Sequence, residues 1–303
     1  MPLFEAYGDI IESDIILAAL PQRPISTVPD WTVHAASTGG LAGDIHWRTL
    51  WRDASGESWA IAGVARGRRI FRFTRYADFA VESRSIGVTR RAFTRDDTLE
   101  HLLIDQVLPL AMAAEGRIVL HASAVADAAR QTLAFCGAAG AGKSTLAASL
   151  ARAGLTVIAD DALVVDLDGE PAARPAYCGV RLWADSAGAL GFGTGGERTV
   201  AEYTSKRRIR LDGPLAPSAR FHLRRIHVVE PGDAVSLDRL HGRDALLALV
   251  RHAYRADLGS GDALRLQLAA LRRLAAAIPV WRLRVPHDLA SIDEVATAVL
   301  GAV

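Results

Sequence analysis

Short runs of alternating apolar and polar residues, separated by glycine turns, dominate residues 1–95 of the chain. Residues 57–64 and 69–73 have the two-residue period of half-buried strands. This region also contains Trp31, Trp47, Trp51 and Trp59. Because buried tryptophan is common, we expect these rings to pack in a core rather than to form a binding surface. The pattern predicts a small, mostly β N-terminal domain over residues 1–95.

Beyond residue 95 the pattern changes to apolar runs of strand length that alternate with segments of helical period. A capping-box sequence at residues 97–100 predicts a helix start, and Pro109 predicts a kink or break in that helix. Strands are predicted at residues 117–125, 132–136, 155–161, 163–166, 179–183 and 280–285. Helices are predicted at residues 145–152, 243–255 and 262–278, and after a second capping box at 291–294. This alternation predicts an α/β domain over residues 96–303.

A glycine loop lies between one predicted strand and the next helix. Residues 137–144 read Gly-Ala-Ala-Gly-Ala-Gly-Lys-Ser, the nucleotide-phosphate pattern GxxxxGK[ST]. Strand, loop and helix in this order direct backbone N–H groups and a helix N-terminus toward a triphosphate. We expect Lys143 to reach the β- and γ-phosphates and the Ser144 hydroxyl to bind Mg²⁺. The predicted nucleotide-binding residues are Gly137, Ala138, Ala139, Gly140, Ala141, Gly142, Lys143, Ser144 and Thr145.

Lysine is rare in this chain. There are 33 arginines and only two lysines, Lys143 and Lys206. A lysine that persists where arginine is so common is expected at a position that needs a compact ammonium group. Lys143 occupies such a position in the glycine loop, and Lys206 therefore becomes a second candidate.

Two adjacent acids follow the next predicted strand, at Asp160 and Asp161. An acid at a strand end after a phosphate loop is placed to hold Mg²⁺, so Ser144, Asp160 and Asp161 are the candidate metal ligands. The second acid is then free to take the proton of an acceptor hydroxyl. Two carboxyl groups so close should raise the pKa of one of them, which suits a base. A histidine on a strand, such as His121, is by itself more often a packed residue than a catalyst.

Composition and charge exclude several other classes of protein. The net charge of +1 excludes a general nucleic-acid binder, although the basic run at residues 206–210 could meet a local anion. Cys136 and Cys178 are too few for a disulfide framework, and Cys136 is expected to face the core. The first 24 residues match neither a signal peptide nor a membrane span, so we expect a cytoplasmic protein that does not bind membranes. Residues 191–197, with four glycines, are predicted to form a mobile loop near the site.

Three segments together resemble a known family. Residues 119–125 (Val-Leu-His-Ala-Ser-Ala-Val), 137–145 and 159–161 (Ala-Asp-Asp) are similar to the kinase domain of HPr kinase/phosphorylase. The likeness is greatest to the HPr-kinase-like proteins found with lasso peptide genes, and it covers most of residues 96–303. It implies a P-loop core related to that of phosphoenolpyruvate carboxykinase, with ATP, Mg²⁺ and a serine hydroxyl as acceptor. The family tends to form ring oligomers, which implies a homo-oligomer.

The resemblance also assigns roles to residues. It places His121 near the transferring phosphate, makes Asp161 the base and puts Asp160 on the metal side. True HPr enzymes carry a Glu-x-Arg-Gly run, whereas residues 179–185 of this chain read Gly-Val-Arg-Leu-Trp-Ala-Asp. The missing acid argues against HPr as the acceptor and against the reverse reaction. Arg181 remains as a candidate contact to phosphate or substrate, and Lys206 with Arg207 could neutralise transition-state charge.

The leading hypothesis is therefore a serine kinase that acts on a ribosomally made precursor peptide, which the N-terminal domain would help to orient. A kinase of a small-molecule alcohol is an alternative within the same chemistry. A nucleotide-gated regulatory module without an acceptor is an alternative from another class. The sequence contains neither the guanine-reading NKxD motif nor an LSGGQ segment, which argues against ordinary GTPases and transporter ATPases.

Overall fold

The computed structural model of the protein describes residues 1–24, 27–36, 45–53, 55–177, 179–192, 199–211, 220–255 and 261–301. Cys178 and most of the glycine-rich run at 191–197 lie outside these ranges. The fold is α/β: the described residues form two nine-stranded sheets and a three-stranded sheet, together with several helices.

The first sheet is built from the first 90 residues. Its strand order is β3-β1-β2-β4-β9-β8-β7-β6-β5, and the β5 to β9 part is a run of antiparallel neighbours. Trp31 is fully buried in its core, and Trp51 and Trp59 pack against that core, as expected. The strands are β1 (Leu3–Ala6), β2 (Asp9–Ser13), β3 (Gln22–Arg23), β4 (Trp31–Ala35), β5 (Arg48–Arg52), β6 (Ser58–Ala65), β7 (Arg68–Phe73), β8 (Ala77–Glu82) and β9 (Ser85–Arg90).

A helical segment follows the first sheet and completes its core. It consists of α1 (Asp96–Leu102), a π-helical turn (Leu103–Val107) and α2 (Leu108–Ala114). The predicted capping box is wrong, because the helix begins one residue before Asp97 and its N-cap, Arg95, makes no side-chain cap. The Glu100 carboxylate instead accepts a hydrogen bond from the backbone of Ala19 and pairs with Arg208.

Pro109 lies inside this helical segment and does not end it. Since proline has no N–H, it cannot donate to the carbonyl oxygen of Asp105, four residues earlier. The helix accommodates it through the π-helical turn just before α2, and the Asp105 carbonyl accepts instead from the Tyr254 hydroxyl at 2.9 Å. The predicted irregularity is therefore present, and it turns this part of the helix toward the second sheet.

The second sheet is mixed and has helices on both faces. Its main path is β10-β14-β15-β19-β12-β11-β13, and β21 and β20 extend it from β19. Helices α5 and α6 pack on one face, while α3 and α7 pack on the other. The strands are β10 (Ile118–Leu120), β11 (Ala122–Ala126), β12 (Gln131–Gly137), β13 (Thr156–Ala159), β14 (Leu163–Asp166), β15 (Ala172–Arg174), β19 (Phe221–Pro231), β20 (Ser236–Leu240) and β21 (Val280–Val285). The helices are α3 (Lys143–Arg152), α5 (Gly242–His252), α6 (Gly261–Ala277) and α7 (Ile292–Gly301).

Strand β12 lies between β11 and β19 in the interior of this sheet. Its apolar residues alternate between the two faces: Ala134 and Cys136 join the core under α5 and α6, and Phe135 joins the core under α3. Cys136 is fully buried as predicted, and burial raises the pKa of its thiol to about 12. The continuous apolar run is thus explained by burial on both sides.

Several features of the second sheet differ from the sequence-based prediction, and strands β15 and β20 were not predicted. The strand expected over residues 117–125 is interrupted at His121, where the chain stops pairing with β14 and starts pairing with β12 and β13. Strand β19 was not predicted, because its alternating His and Arg residues obscure the apolar pattern. It pairs in parallel with both β12 and β21.

The third sheet contains β16 (Gly179–Leu182), β17 (Thr199–Ala201) and β18 (Thr204–Arg210), in the order β16-β18-β17. The short helix α4 (Ala184–Ala189) follows β16. This sheet brings residues 207–210 of the basic run opposite residues 179–182. None of the helices in the described ranges has both the length and the apolar character needed to span a bilayer.

Candidate functional site

The glycine loop connects the end of β12 to the start of α3, as its sequence predicts. Gly142 is the N-cap of α3 and has a φ of +90°, which only glycine adopts without strain. A Cβ at Gly137 would lie 2.8 Å from the carbonyl oxygen of Val229, so a side chain would push β12 and β19 apart. The loop conformation therefore depends on glycine at both ends.

Lys143, the first residue of α3, folds back over this loop. Its Nζ donates to the carbonyl oxygens of Gly137 at 2.9 Å and Ala138 at 3.0 Å, and lies 3.2 Å from His121 Nε2. All three ammonium hydrogens thus have an acceptor. Burial lowers the pKa of Lys143, while the carboxylates of Asp161 and Asp160 act in the opposite direction.

Asp160 follows β13 and is buried against the start of α3. Its Oδ1 accepts from Ser144 Oγ at 2.8 Å and from Ser123 Oγ at 2.5 Å, and its Oδ2 accepts from the backbone N–H of Arg181 at 2.9 Å. Burial raises the pKa of Asp160, and the neighbouring Asp161 carboxylate raises it further. Of the two acids, Asp160 is therefore the one whose carboxyl has the raised pKa.

Asp161 has a φ of +68°, a left-handed conformation that is uncommon for a residue with a side chain. Its carboxylate reaches the cleft beside the loop and accepts from Arg181 Nη1 at 2.9 Å. Burial alone would raise the pKa of Asp161, but the Arg181 guanidinium, helped by His121 and Lys206, holds it well below its usual range. The expectation that one carboxyl of the pair has a raised pKa holds at Asp160, while the Arg181 guanidinium lies closer to Asp161, at 2.9 Å, than to Asp160, at 3.9 Å. Which of the two acids acts as the base stays a prediction.

His121 lies at the break between β10 and β11, where its backbone N–H donates to the carbonyl of His252 at 2.6 Å. Its Nδ1 is 2.8 Å from the carbonyl oxygen of Asp161. Since a carbonyl only accepts, Nδ1 carries the proton and Nε2 is left as the acceptor for Lys143. Burial and the Lys143 ammonium both lower the pKa of His121, in agreement with a neutral ring.

The Arg181 side chain, on β16, is almost fully buried and surrounded by acids. Besides Asp161, its Nη1 donates to the backbone carbonyl of Asp160 at 3.2 Å, and its Nη2 forms an ion pair with Asp105 at 2.5 Å. The sequence predicted a contact from Arg181 to phosphate or substrate. The guanidinium is held by the carboxylates of Asp161 and Asp105, and Arg181 also lines the cleft, so its contact to phosphate or substrate stays a prediction.

Lys206 lines the same cleft from β18. Its Nζ lies 5.6 Å from the centre of the Trp183 ring, which is 44% exposed. The ammonium is near enough to lower the pKa of Asp161 and of His121. The structure thus places Lys206 in the same cleft as His121 and Asp161. Its role in neutralising transition-state charge stays a prediction.

Most of these residues line one cleft of about 1330 Å³. Its walls contain the whole loop from residue 138 to 145, the residues His121, Asp161, Arg181 and Lys206, and a second set beyond the loop, while Asp160 is buried directly behind Ser144. That set comes from the ends of β19 and β21 and from the start of α7, and includes Val229, Pro231, Val285, Leu289 and Ile292. The cleft is larger than the range of about 300–1,000 Å³ usual for a small-molecule site, which leaves room for two reactants.

The oxygen atoms of Ser144 and Asp160 are the kind of ligand that Mg²⁺ prefers. Within the described ranges no three His, Cys, Asp or Glu side chains converge as a metal-binding group. A hard cation here would take one hydroxyl and one carboxylate from the protein, and its other ligands from phosphate oxygens and water. This donor set suits Mg²⁺, which usually binds through one or two carboxylates plus substrate phosphates.

No protein-family model matches the chain, and no curated protein matches it either. Its chemistry must therefore be argued from the geometry of this cleft.

Several residues of the site were not predicted from the sequence, among them Ser123, His101, Asp105 and Tyr254. His101 and Asp105 lie on the helical segment after the first sheet, and Tyr254 follows α5. A charged pair four residues apart on a helix usually faces solvent, so the sequence pattern alone does not distinguish this buried pair. The one available signal is Asp105 itself, a charged residue within the apolar run from Leu102 to Leu110.

Proposed function

We propose that this protein is an ATP- and Mg²⁺-dependent kinase that transfers the γ-phosphoryl group to an alcohol hydroxyl, the serine hydroxyl of a peptide. The observation that carries this proposal is the position of Asp160, whose carboxylate joins Ser144 of the glycine loop while the Asp161 carboxylate faces the same cleft. A phosphate-binding loop, a metal-binding oxygen pair and a second acid are the parts that phosphoryl transfer requires. They also support a P-loop kinase core of the HPr kinase type.

In this account the backbone N–H groups of the loop and the N-terminus of α3 bind the phosphate chain. Lys143 exchanges its loop carbonyl acceptors for β- and γ-phosphate oxygens. Its lowered pKa does not prevent this role, because the incoming phosphates favour the charged ammonium. Ser144 and Asp160 hold the metal, and Mg²⁺ supplies charge neutralisation to the phosphate oxygens when bound.

Asp161 accepts the proton of the acceptor hydroxyl. The hydroxyl oxygen forms a bond to the γ-phosphorus, the bond from that phosphorus to the bridging oxygen breaks, and ADP leaves with the electron pair. Because the transition state is largely dissociative, positioning of the hydroxyl matters more than the strength of the base. An acid that stays ionised beside Arg181 fits this role as a hydrogen-bond acceptor for the incoming hydroxyl.

The direction of the phosphate chain follows from the asymmetry of the cleft. Lys206, His121 and Asp161 lie on one side of the loop, where we place the γ-phosphate and the acceptor. The opposite side, at the ends of β19 and β21, includes the apolar residues Val285, Leu289 and Ile292 beside the polar Glu230, Arg282 and His287. We place the nucleoside there, because an apolar wall suits the faces of a base.

The size of the cleft favours a peptide acceptor over a small alcohol. The helical segment after the first sheet packs in the core of that sheet, and its Asp105 pairs with Arg181, which lines the cleft. A peptide that contacts the N-terminal sheet would therefore lie close to the reacting groups. A regulatory module without an acceptor would need no acid in the position of Asp161.

The test is transfer from γ-labelled ATP with Mg²⁺ to size-fractionated peptides from the host, with Asp161→Asn alongside. We expect label in a small peptide with the wild-type protein and none above background with the variant, while both bind ATP. Label in a small alcohol would establish the second kind of kinase. Label released only as phosphate would contradict the proposed function. An Asp161→Asn variant that transfers at the wild-type rate would contradict the role of Asp161.

A further inference from the structure

One carboxylate connects the core of the first sheet to the cleft. Asp105 is a carboxylate with no solvent exposure, although its neighbours on the helical segment after β9 are mostly apolar. Its Oδ2 is 2.5 Å from Arg181 Nη2 and 2.7 Å from His101 Nδ1. On its other side the same Arg181 guanidinium bonds the Asp161 carboxylate at 2.9 Å. Three buried groups thus form a continuous connection that ends at Asp161.

The backbone of Asp105 takes part in the same arrangement. Its carbonyl lacks the helical donor because Pro109 has no N–H, and the Tyr254 hydroxyl donates to it at 2.9 Å. That hydroxyl also lies 3.4 Å from the carbonyl oxygen of Asp161. The side chain and the backbone of Asp105 therefore both belong to the network of polar contacts that reaches Asp161. π-Helical turns of this kind often occur at functional sites.

We propose that Asp105 is a positioning residue: through Arg181 and Tyr254 it fixes the orientation of the Asp161 carboxylate toward the acceptor hydroxyl. The inference rests on the proposed function and deepens it. It also makes the π-helical turn Leu103–Val107 a part of the active site, although that turn packs in the core of the first sheet.

Stability alone is a poor explanation for this arrangement. Replacing a buried ion pair with apolar residues is often neutral or stabilising, so such a pair is weak evidence of a structural need. Asp161, in contrast, has a left-handed backbone that persists only where surrounding contacts hold it. The contacts that do so come from His121, Arg181 and Tyr254.

The first variant is Asp105→Asn, which keeps the size of the side chain and removes its charge. Misplacement of a reacting group by about 1 Å can cost about a hundredfold in rate, and we expect a loss of kcat of about that size. The Kd for MgATP should change by less than about twofold, since the loop and its metal ligands are untouched. Asp105→Glu, which restores the charge, should recover part of kcat. Asp96→Asn, in the exposed first turn of the same helix, is the control and should leave kcat unchanged.

Asp105→Asn leaves a buried arginine with one acid fewer and could fail to fold. Tyr254→Phe therefore provides the second variant, with Tyr203→Phe as its matched control. Tyr203 is a partly buried tyrosine beside His101, and its hydroxyl has no hydrogen-bond partner within the described ranges. Loss of one neutral hydrogen bond should lower kcat of Tyr254→Phe by about three- to tenfold, and Tyr203→Phe should match the wild type.

The outcomes separate the two proposals. If the wild-type protein transfers no phosphoryl group to any acceptor, the proposed function is wrong. If the wild type transfers but a folded Asp105→Asn protein has the wild-type kcat, the positioning role is wrong. If Asp105→Asn does not fold, Tyr254→Phe decides: a kcat below that of Tyr203→Phe supports the role, and an equal kcat overturns it.

Discussion

Two sets of side chains meet at Asp161, and they differ in how the fold brings them there. The local group belongs to the glycine loop and its adjoining strands, and consists of His121, Ser123, Lys143, Ser144 and Asp160. The remote group consists of His101, Asp105, Tyr254 and the arginine that joins them to the cleft, Arg181. The local group lies along the ends of three neighbouring strands, whereas the remote group comes from three separate parts of the fold.

This difference indicates that the local group binds phosphate and metal, whereas the remote group orients the Asp161 carboxylate. The local group supplies the donors and oxygens that meet phosphate and metal, and its members bond to one another. The remote group contacts neither the loop nor Ser144 in the described structure, and its bonds end at the two acids. Changes in the local group should therefore alter nucleotide binding, and changes in the remote group should alter kcat alone.

The largest effect is expected from Lys143→Ala in the local group. The variant loses the cation that meets the phosphates, and such charged contacts at phosphoryl groups contribute about a thousandfold or more to kcat. We expect transfer near background and a weaker Kd for MgATP by equilibrium titration. Arg152→Ala, which removes an exposed cation from the last turn of the same helix, is the control. Unchanged transfer in Lys143→Ala would break the assignment of the local group.

A smaller effect within the local group should separate its two serines. Ser144 and Ser123 donate to the same oxygen of Asp160, but only Ser144 belongs to the loop. Ser144→Ala should raise the Mg²⁺ concentration that gives half-maximal transfer by about tenfold, and Ser123→Ala should raise it less. The measurement is the rate of transfer against Mg²⁺ concentration at saturating ATP. An equal requirement in both variants would show that Ser144 is not a metal ligand.

Leu289→Ala tests the opposite end of the cleft. The side chain is 37% exposed and lines the apolar wall where we place the nucleoside. Loss of its partial burial against the base should weaken ATP binding by about 1 kcal/mol, or about fivefold. Inorganic tripolyphosphate, which has no base, should bind the variant as it binds the wild type. Equal weakening of both ligands would place the base elsewhere.

The smallest effect on transfer is expected at His227, which lies outside both groups. It is fully buried beside Phe135, and burial, with a smaller contribution from Arg225, lowers its pKa to about 4. Its folded pKa is thus below the unfolded value of 6.5, so the unfolded chain binds the extra proton first as pH falls. Protonation of His227 in the unfolded chain therefore lowers the free energy of unfolding progressively below about pH 6.5, and this loss is complete near pH 4.

His227→Phe removes that proton-binding site. From about pH 7 to about pH 5, the wild type should lose about 2 kcal/mol more unfolding free energy than the variant, with transfer at pH 7 unchanged. Denaturant unfolding at both pH values measures the difference. An identical loss of stability in the two proteins would contradict the account of His227.

The sequence predicted those parts of the site whose signals are local. The loop at residues 137–144 has a fixed spacing, and the buried strand before it and the helix after it are apolar runs of the expected length. Asp160 and Asp161 follow the next strand directly, so their place at the edge of the sheet also followed from the pattern.

The remote group gave weaker signals, because its members meet only through tertiary packing. Arg181 and an irregularity at Pro109 were expected, but the Tyr254 hydroxyl that donates to the Asp105 carbonyl comes from far along the chain, and no local pattern contains both. The break at His121 depends on a backbone bond to His252 for the same reason. The Arg and His residues of β19 obscure the apolar pattern that would have predicted a strand, and its pairing with β12 and β21 is what defines it. Long-range pairing, and not propensity, decides each of these features.

The measurement that tests the account most directly is a double-mutant cycle between Asp105 and Asp161. Single-turnover transfer from γ-labelled ATP would be followed for the wild type, Asp105→Asn, Asp161→Asn and the double variant, with enzyme in excess. If the remote group acts only by orienting Asp161, Asp105→Asn slows the wild type by about a hundredfold but leaves the rate of Asp161→Asn nearly unchanged. Slowing by the same factor in both backgrounds would contradict the claim that the two groups act through one carboxylate.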